Sequence, residues 1–154
     1  MQSFFGIRGL ALELFCSYLS DRKQYTKILN HKSKLAKITH GVPQGSSLGP
    51  LLFLLYINDL PNASEFETTL FADDTYLTLS DKSTVHLECR VNNELSKIEE
   101  WLNHNKLSLN CSKSCYMLIN SHPGISCNTE LQLHVNLFTL KRQHTIKYLG
   151  IDVD

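Results

Sequence analysis

Long apolar runs are missing from this chain. The longest, Leu51 to Ile57, falls far short of the ~20 residues a membrane helix needs. Met1 to Leu10 lack the basic-then-apolar pattern of a secretory leader, so an intracellular setting, nuclear or cytoplasmic, is expected. The five cysteines, Cys16, Cys89, Cys111, Cys115 and Cys127, are odd in number and irregularly spaced, which argues against a disulfide framework. Internal repeats and low-complexity linkers are absent, and 154 residues suffice for one domain with a core. Net charge is absent too, with 15 basic and 15 acidic residues. A zero sum argues against a polyanionic partner, but the distribution does not. Six Lys/Arg face one acid between Asp21 and His40, ten acids face three bases between Asn58 and Glu100, and five bases face one acid between Trp101 and Gly150. A basic-acidic-basic layout can hold an anionic backbone on its flanks and cations in its middle; solvated faces that cancel are the plainer alternative.

Ile7, Leu10, Leu14, Phe15 and Tyr18 recur at helical spacing and predict an amphipathic helix ending near Ser20-Asp21. Gln24 to Asn30 and Lys34 to His40 alternate polar and apolar residues about His31-Lys32-Ser33, predicting a lysine-lined hairpin with its connection there. Ser46-Ser47 can cap a helix from about Leu48 to Leu60, apolar on nearly every side and therefore expected to be buried. Val91, Leu95, Ile98 and Leu102 form the stripe of a helix within Ser83 to Asn103, with Glu94, Glu99 and Glu100 mostly outside it. Short strands are expected at Leu107–Leu109, Tyr116–Ile119, Leu131–Leu137 and Tyr148–Ile151. The fold class is α+β, with helices packed on a mainly antiparallel sheet.

Phe71-Ala72-Asp73-Asp74 lies between apolar runs, Thr68 to Ala72 and Thr75 to Leu79, and reads as a β-hairpin whose turn carries two carboxylates. Adjacent like charges resist joint ionisation, and a divalent cation would relieve them, since hard Mg²⁺ takes carboxylate oxygens together with phosphates. An Asp-Asp turn is more often simply solvated. Ahead of it, Gly41-Val42-Pro43-Gln44-Gly45 forms a loop before the capped helix, whose free amides favour an anion. Gln44 offers both a donor and an acceptor. Taken alone, this stretch is better explained by a Gly/Pro turn before a core helix.

Together, GVPQGSSLGPLLFLLYINDL followed by LFADDT resembles the reverse transcriptase of non-LTR (LINE-type) retrotransposons. Ser17 to Gln24 looks like the family's SYL-x-x-R-x-Q segment. Ile98 to Leu102, then Asn105 to Asn110 and Lys113, resembles its helix-strand unit, and Tyr148-Leu149-Gly150 its primer-grip turn. The resemblance runs from about Tyr18 to Gly150. It implies a right-hand polymerase palm, incomplete here, with residues 1–40 as fingers/palm connection, 41–120 as palm core and 121–154 as the end of the palm toward the thumb.

The resemblance implies residue roles as well. Asp73 and Asp74 would be catalytic carboxylates holding Mg²⁺ or Mn²⁺, two ions in the intact parent about 3.5–4 Å apart. Lys113 would assist the leaving pyrophosphate; a solvated surface lysine is the alternative. Pro43, Gln44 and Gly45 would line the nucleotide pocket. Arg22, Lys23 and Lys27 would contact template phosphates, and Tyr148, Leu149 and Gly150 the primer. The partners would be an RNA template, a DNA primer and deoxynucleoside triphosphates, with no membrane.

The family's first catalytic aspartate lies on an upstream strand, and no such motif precedes Ser17. Asp21 is the only aspartate before Asp59. Weak metal binding, inactivity in isolation, an unpaired strand edge and poor solubility are therefore expected. The alternative function is a catalytically inactive nucleic-acid-binding remnant of a truncated element. Cys111, Cys115, His122 and Cys127 loosely resemble a CCHC knuckle, but their gaps of three, six and four residues do not fit one. Trp101 is expected to pack in the core.

Overall fold

The computed structural model describes residues 5–39, 41–42, 45–120 and 129–154. The chain divides into two compact units, Met1–Phe53 and Leu54–Asp154. None of the helices among the described residues is long and apolar enough to cross a membrane.

In the first unit, helix α1 (Gly9–Leu19) ends where the Ser20 N–H donates to the Cys16 carbonyl at 3.0 Å. Asp21 then turns the chain with φ +50°. The helix lies where its periodicity places it, but none of its residues is buried, and Leu10 is 84% exposed. Strands β1 (Lys23–Gln24), β2 (Lys27–Ile28), β3 (His31–Lys32) and β4 (Ala36–Lys37) make one interrupted hairpin. Lys23 faces Lys37, and Lys27 faces Lys32. Its turn is Leu29-Asn30, with Leu29 at φ +53°, and not His31-Lys32-Ser33 as expected. The polar Ser33 serves the ladder instead of the turn. Its N–H donates to the Thr26 carbonyl at 2.9 Å, and its Oγ accepts the Thr26 N–H at 2.9 Å.

Helix α2 (Leu48–Ile57) contains the Phe53/Leu54 division between the units. Ser46 Oγ accepts the Gly49 N–H at 3.0 Å, which is the expected cap. The helix stops before the expected Leu60, and a 3₁₀ turn, Leu60–Asn62, carries Pro61. Asn58-Asp59, both turn formers, come between them. The expectation of burial on every side fails as well: Leu52 and Ile57 are buried, while Leu51, Leu54 and Tyr56 are exposed. A helix without a polar stripe still has only one side to lay on a small core.

The core of the second unit comprises Leu60, Phe66, Leu87, Leu95, Ile98, Leu131, Leu133, Val135 and Leu140, with Trp101 packed against it. Strands β5 (Glu67–Phe71) and β6 (Asp74–Thr78) pair antiparallel, and Leu70 and Leu77 face that core. Helix α3 (Thr84–His104) is capped by Ser83. There follow β7 (Cys115–Tyr116), β8 (His134–Val135), β9 (Phe138–Thr139), β10 (Lys141–Arg142), β11 (Ile146–Tyr148) and β12 (Ile151–Val153). The architecture is α+β with mainly antiparallel pairing, its strands forming six two-stranded ladders among the described residues. Of these, β7–β10 is parallel.

Leu107–Leu109 forms no strand, the Tyr116 strand is Cys115–Tyr116, and within Leu131–Leu137 only His134–Val135 pairs with another strand. The last of these has a clear cause. Side chains of α3 take the place of a neighbouring strand. Glu88 Oε2 accepts the Gln132 N–H at 2.9 Å, and Asn92 Oδ1 accepts the His134 N–H at 2.9 Å. Glu99 Oε2 accepts the Asn136 N–H at 3.0 Å. Meanwhile Leu131, Leu133 and Val135 point into the core. Local periodicity finds the buried face of such a segment but not the partner of its amides.

Candidate active site

Phe71 and Asp74 close the β5–β6 ladder, leaving Ala72-Asp73 as a two-residue turn. Ala72 takes φ +53°, whereas Asp73 is not among the positive-φ residues, the sign pattern of a II′ turn. Glycine suits that first position best, so an alanine there holds local strain. The turn places Asp73 at the tip and Asp74 as the first residue of β6, both exposed. Alternation puts Asp74 and Tyr76 on one face with Phe71, away from the face that packs on the core.

That outer face leads to a second hairpin. The Tyr76 and Tyr148 rings meet edge-on with centroids 4.4 Å apart, and Tyr76 Oη donates to the Lys147 carbonyl at 3.5 Å. Tyr148 pairs with Ile151 across the turn Leu149-Gly150, where φ is +49° and +88°. The strand expected over Tyr148–Ile151 is therefore a turn between β11 and β12. Of the residues singled out in the sequence, the fold joins the Asp73-Asp74 hairpin to the Tyr148-Leu149-Gly150 turn.

Both roots of the aspartate hairpin are tied to α3. Below β5, Glu94 Oε2 accepts the Glu65 N–H at 2.8 Å, and Glu94 Oε1 accepts from Lys97 Nζ at 2.7 Å. Beyond β6, Asp81 Oδ2 lies 3.0 Å from Arg90 Nη1 and 2.7 Å from His86 Nδ1, while Arg90 Nη2 reaches Glu65 at 3.4 Å. The Lys97 ammonium and then the Glu65 amide hold the Glu94 carboxyl below its usual range. The Ser83 amide and the Arg90 guanidinium hold that of Asp81 well below it. Glu94 is the correction here: expected mostly outside the stripe, it is 3% exposed. The signal was present. Glu94 sits three residues after Val91 and four before Ile98, on the buried stripe itself.

Lys113 lies in a turn whose amide donates to the Asn110 carbonyl at 3.0 Å, and its exposed side chain has no ion-pair partner among the described residues. Gly45 is exposed at φ +75°, while Pro43 and Gln44 lie outside the described residues, as do His122 and Cys127. Arg22, Lys23 and Lys27 are exposed on the first unit's hairpin, with the Arg22 guanidinium 5.3 Å from the Tyr18 ring centroid.

No cluster of three or more His, Cys, Asp or Glu residues able to hold a metal occurs among the described residues. Asp73 and Asp74 nevertheless supply hard oxygen donors. Mg²⁺ commonly takes only one or two carboxylates and completes its shell with water and phosphate, so the pair fits such an ion.

The structure thus presents an exposed two-carboxylate turn tied at both roots to one helix. The chain belongs to the reverse transcriptase (RNA-dependent DNA polymerase) family, whose model matches residues 5–153. Its relatives are polymerases of non-LTR retrotransposons. It is 27% identical over 150 residues to the RNA-directed DNA polymerase from mobile element jockey of Drosophila melanogaster, covering 90% of this chain and 16% of that protein. Identity is 28% over 149 residues to the probable RNA-directed DNA polymerase from transposon X-element of the same fly, covering 92% and 16%. It is 29% over 147 residues to the Pol polyprotein from type-1 retrotransposable element R1 of Bradysia coprophila, covering 91% and 14%. The chain thus spans about a sixth of the length of these relatives. No solved structure matches it.

Proposed function

We propose that this chain is palm-region sequence of an RNA-directed DNA polymerase that extends a DNA primer on an RNA template with deoxynucleoside triphosphates. The observation that carries the reading is the exposed Asp73-Asp74 turn in a chain matched to the reverse transcriptase family over 5–153. Asp73 and Asp74 would hold Mg²⁺ or Mn²⁺, which when bound lowers the pKa of the primer hydroxyl and stabilises charge on the phosphates. The chain's own residues do the rest. The Ala72 turn, fixed at its roots by Glu94 and Arg90, aims both carboxylates outward. Pro43, Gln44 and Gly45 would contact the incoming nucleotide, and Lys113 would supply a cation or proton to the leaving pyrophosphate. Tyr148, Leu149 and Gly150 hold the primer end beside Tyr76. Arg22, Lys23 and Lys27 contact template phosphates. The palm core takes in 41–120, flanked by the fingers connection at 1–40 and the approach to the thumb from 121.

A second reading, nucleic-acid binding without catalysis, draws on the count of donors: two carboxylates, with no third group joining them among the described residues. Primer extension on an RNA template separates the two. The chain alone is expected to be inactive, and the same residues within their full reading frame are expected to extend the primer in a manner abolished by Asp73→Ala. Full-frame protein that binds template and primer but never extends would leave the binding remnant and remove the polymerase.

A further inference from the structure

On the β1–β4 hairpin two pairs of lysines stand directly opposite each other, Lys23 with Lys37 and Lys27 with Lys32. Bonds from the Ile38 N–H to the Arg22 carbonyl and from the Ser33 N–H to the Thr26 carbonyl alternate with these pairs. The lysines therefore occupy the positions where facing side chains come closest. Lys23, Tyr25 and Lys27 share one side of the strand by alternation. Lys32 Nζ, 5.3 Å from the Tyr25 ring centroid, belongs to that side too.

Opposed like charges destabilise a ladder, and this short hairpin contains two such pairs. Asp21, 3.4 Å from Lys37 and 87% exposed, is their one carboxylate partner among the described residues. An anion laid along this side would remove the repulsion. The two pairs are four residues apart, about 13 Å along the strand. Between the pairs lies Tyr25, half exposed, offering a ring on which a base can stack.

We propose that this side of the hairpin is a platform for a single nucleic-acid strand, its phosphates between the lysine pairs and a base on Tyr25. It deepens the reading of Lys23 and Lys27 as template contacts by adding Lys32, Lys37 and Tyr25. It requires nothing of Asp73. The platform reads no sequence, because ammonium–phosphate contacts carry none.

The test is fluorescence anisotropy of the full chain with labelled oligo(U) and with duplex RNA of equal length, over a series of salt concentrations. Lys32→Gln with Lys37→Gln is expected to reduce the slope of log affinity against log salt by about 1.4, two single-strand contacts' worth. The Lys→Arg versions of both should retain it. Tyr25→Ala should weaken oligo(U) binding about tenfold with the slope unchanged. Thermal melts establish that each variant is folded. An unchanged slope in the folded Gln pair, or tighter binding of duplex than of oligo(U), overturns the platform. Oligo(U) binding retained by Asp73→Asn shows that the platform stands apart from the metal site, so failure of one reading is distinguishable from failure of the other.

Discussion

Tyr148 meets Tyr76 edge-on, ring centroids 4.4 Å apart and planes at 61°, two residues along β6 from Asp74. Such a pair contributes about 0.5–1.5 kcal/mol beyond the area it buries. It ties the turn at Leu149-Gly150 to the strand that begins with Asp74. Truncating either ring should therefore release the β11–β12 hairpin from β6. In a double-mutant cycle by urea denaturation, Tyr76→Ala and Tyr148→Ala should couple by about 0.5–1.5 kcal/mol. Strictly additive losses would mean that the two hairpins are held together by something else.

Asn92 uses both ends of its amide on the backbone of one segment: Nδ2 donates to the Gln132 carbonyl at 2.8 Å, and Oδ1 accepts the His134 N–H at 2.9 Å. Asn92→Leu leaves both backbone groups without that partner, a cost of about 1–3 kcal/mol where they stay shielded from water. Amide hydrogen exchange should accelerate at His134 while Leu95 and Ile98 in α3 remain protected. Equal acceleration across the helix would show that Asn92 supports the whole unit and not this segment.

How far the chain could be read in advance follows from these particulars. Ser46 and the stripe of α3 were legible because caps and helical spacing are local. So was the Asp73-Asp74 hairpin, whose two runs are separated by one short turn. The Leu29-Asn30 turn was not, since Ser33 looks like a turn residue and instead bonds Thr26. The pairing of the 131–136 segment was hidden for a related reason. Glu88, Asn92 and Glu99 look like the solvated face of a helix until the 131–136 segment lies beside them. Glu94 alone could have been found, because its spacing from Val91 and Ile98 put it on the buried stripe.

Acid should loosen the roots of the aspartate hairpin. Glu94 and Asp81 both have folded-state affinities for protons depressed by their partners, Lys97 and the Glu65 amide in one case, the Ser83 amide and Arg90 in the other. A depressed carboxyl stabilises the fold above its unfolded-state pKa of about 4 and loses that contribution as pH falls through the folded value. Melting temperature should thus hold between pH 7 and 5 and fall below about pH 4. Glu94→Gln keeps an acceptor for the Glu65 amide but gives up the charge toward Lys97. The gap in stability between the native chain and this variant should shrink as pH drops from 6 to 3. A gap that stays constant over that range would assign the role of Glu94 to packing alone.

Two carboxylates on an exposed turn can take a hard divalent ion, but with no third protein ligand beside them among the described residues most of its shell is water, so binding should be weak. Mn²⁺ titrated into the isotopically labelled chain should broaden the amide signals of Phe71 to Thr75 before any others. Asp73→Asn and Asp74→Asn should each abolish that selective broadening, since one remaining carboxylate holds the ion no better than any surface acid. Glu99 and Glu100 on α3 provide the internal control, an acidic pair without a turn to direct it. Broadening that begins there, or that survives in both variants, would remove the hairpin as the metal site and with it the support for a metal-dependent reaction at this turn.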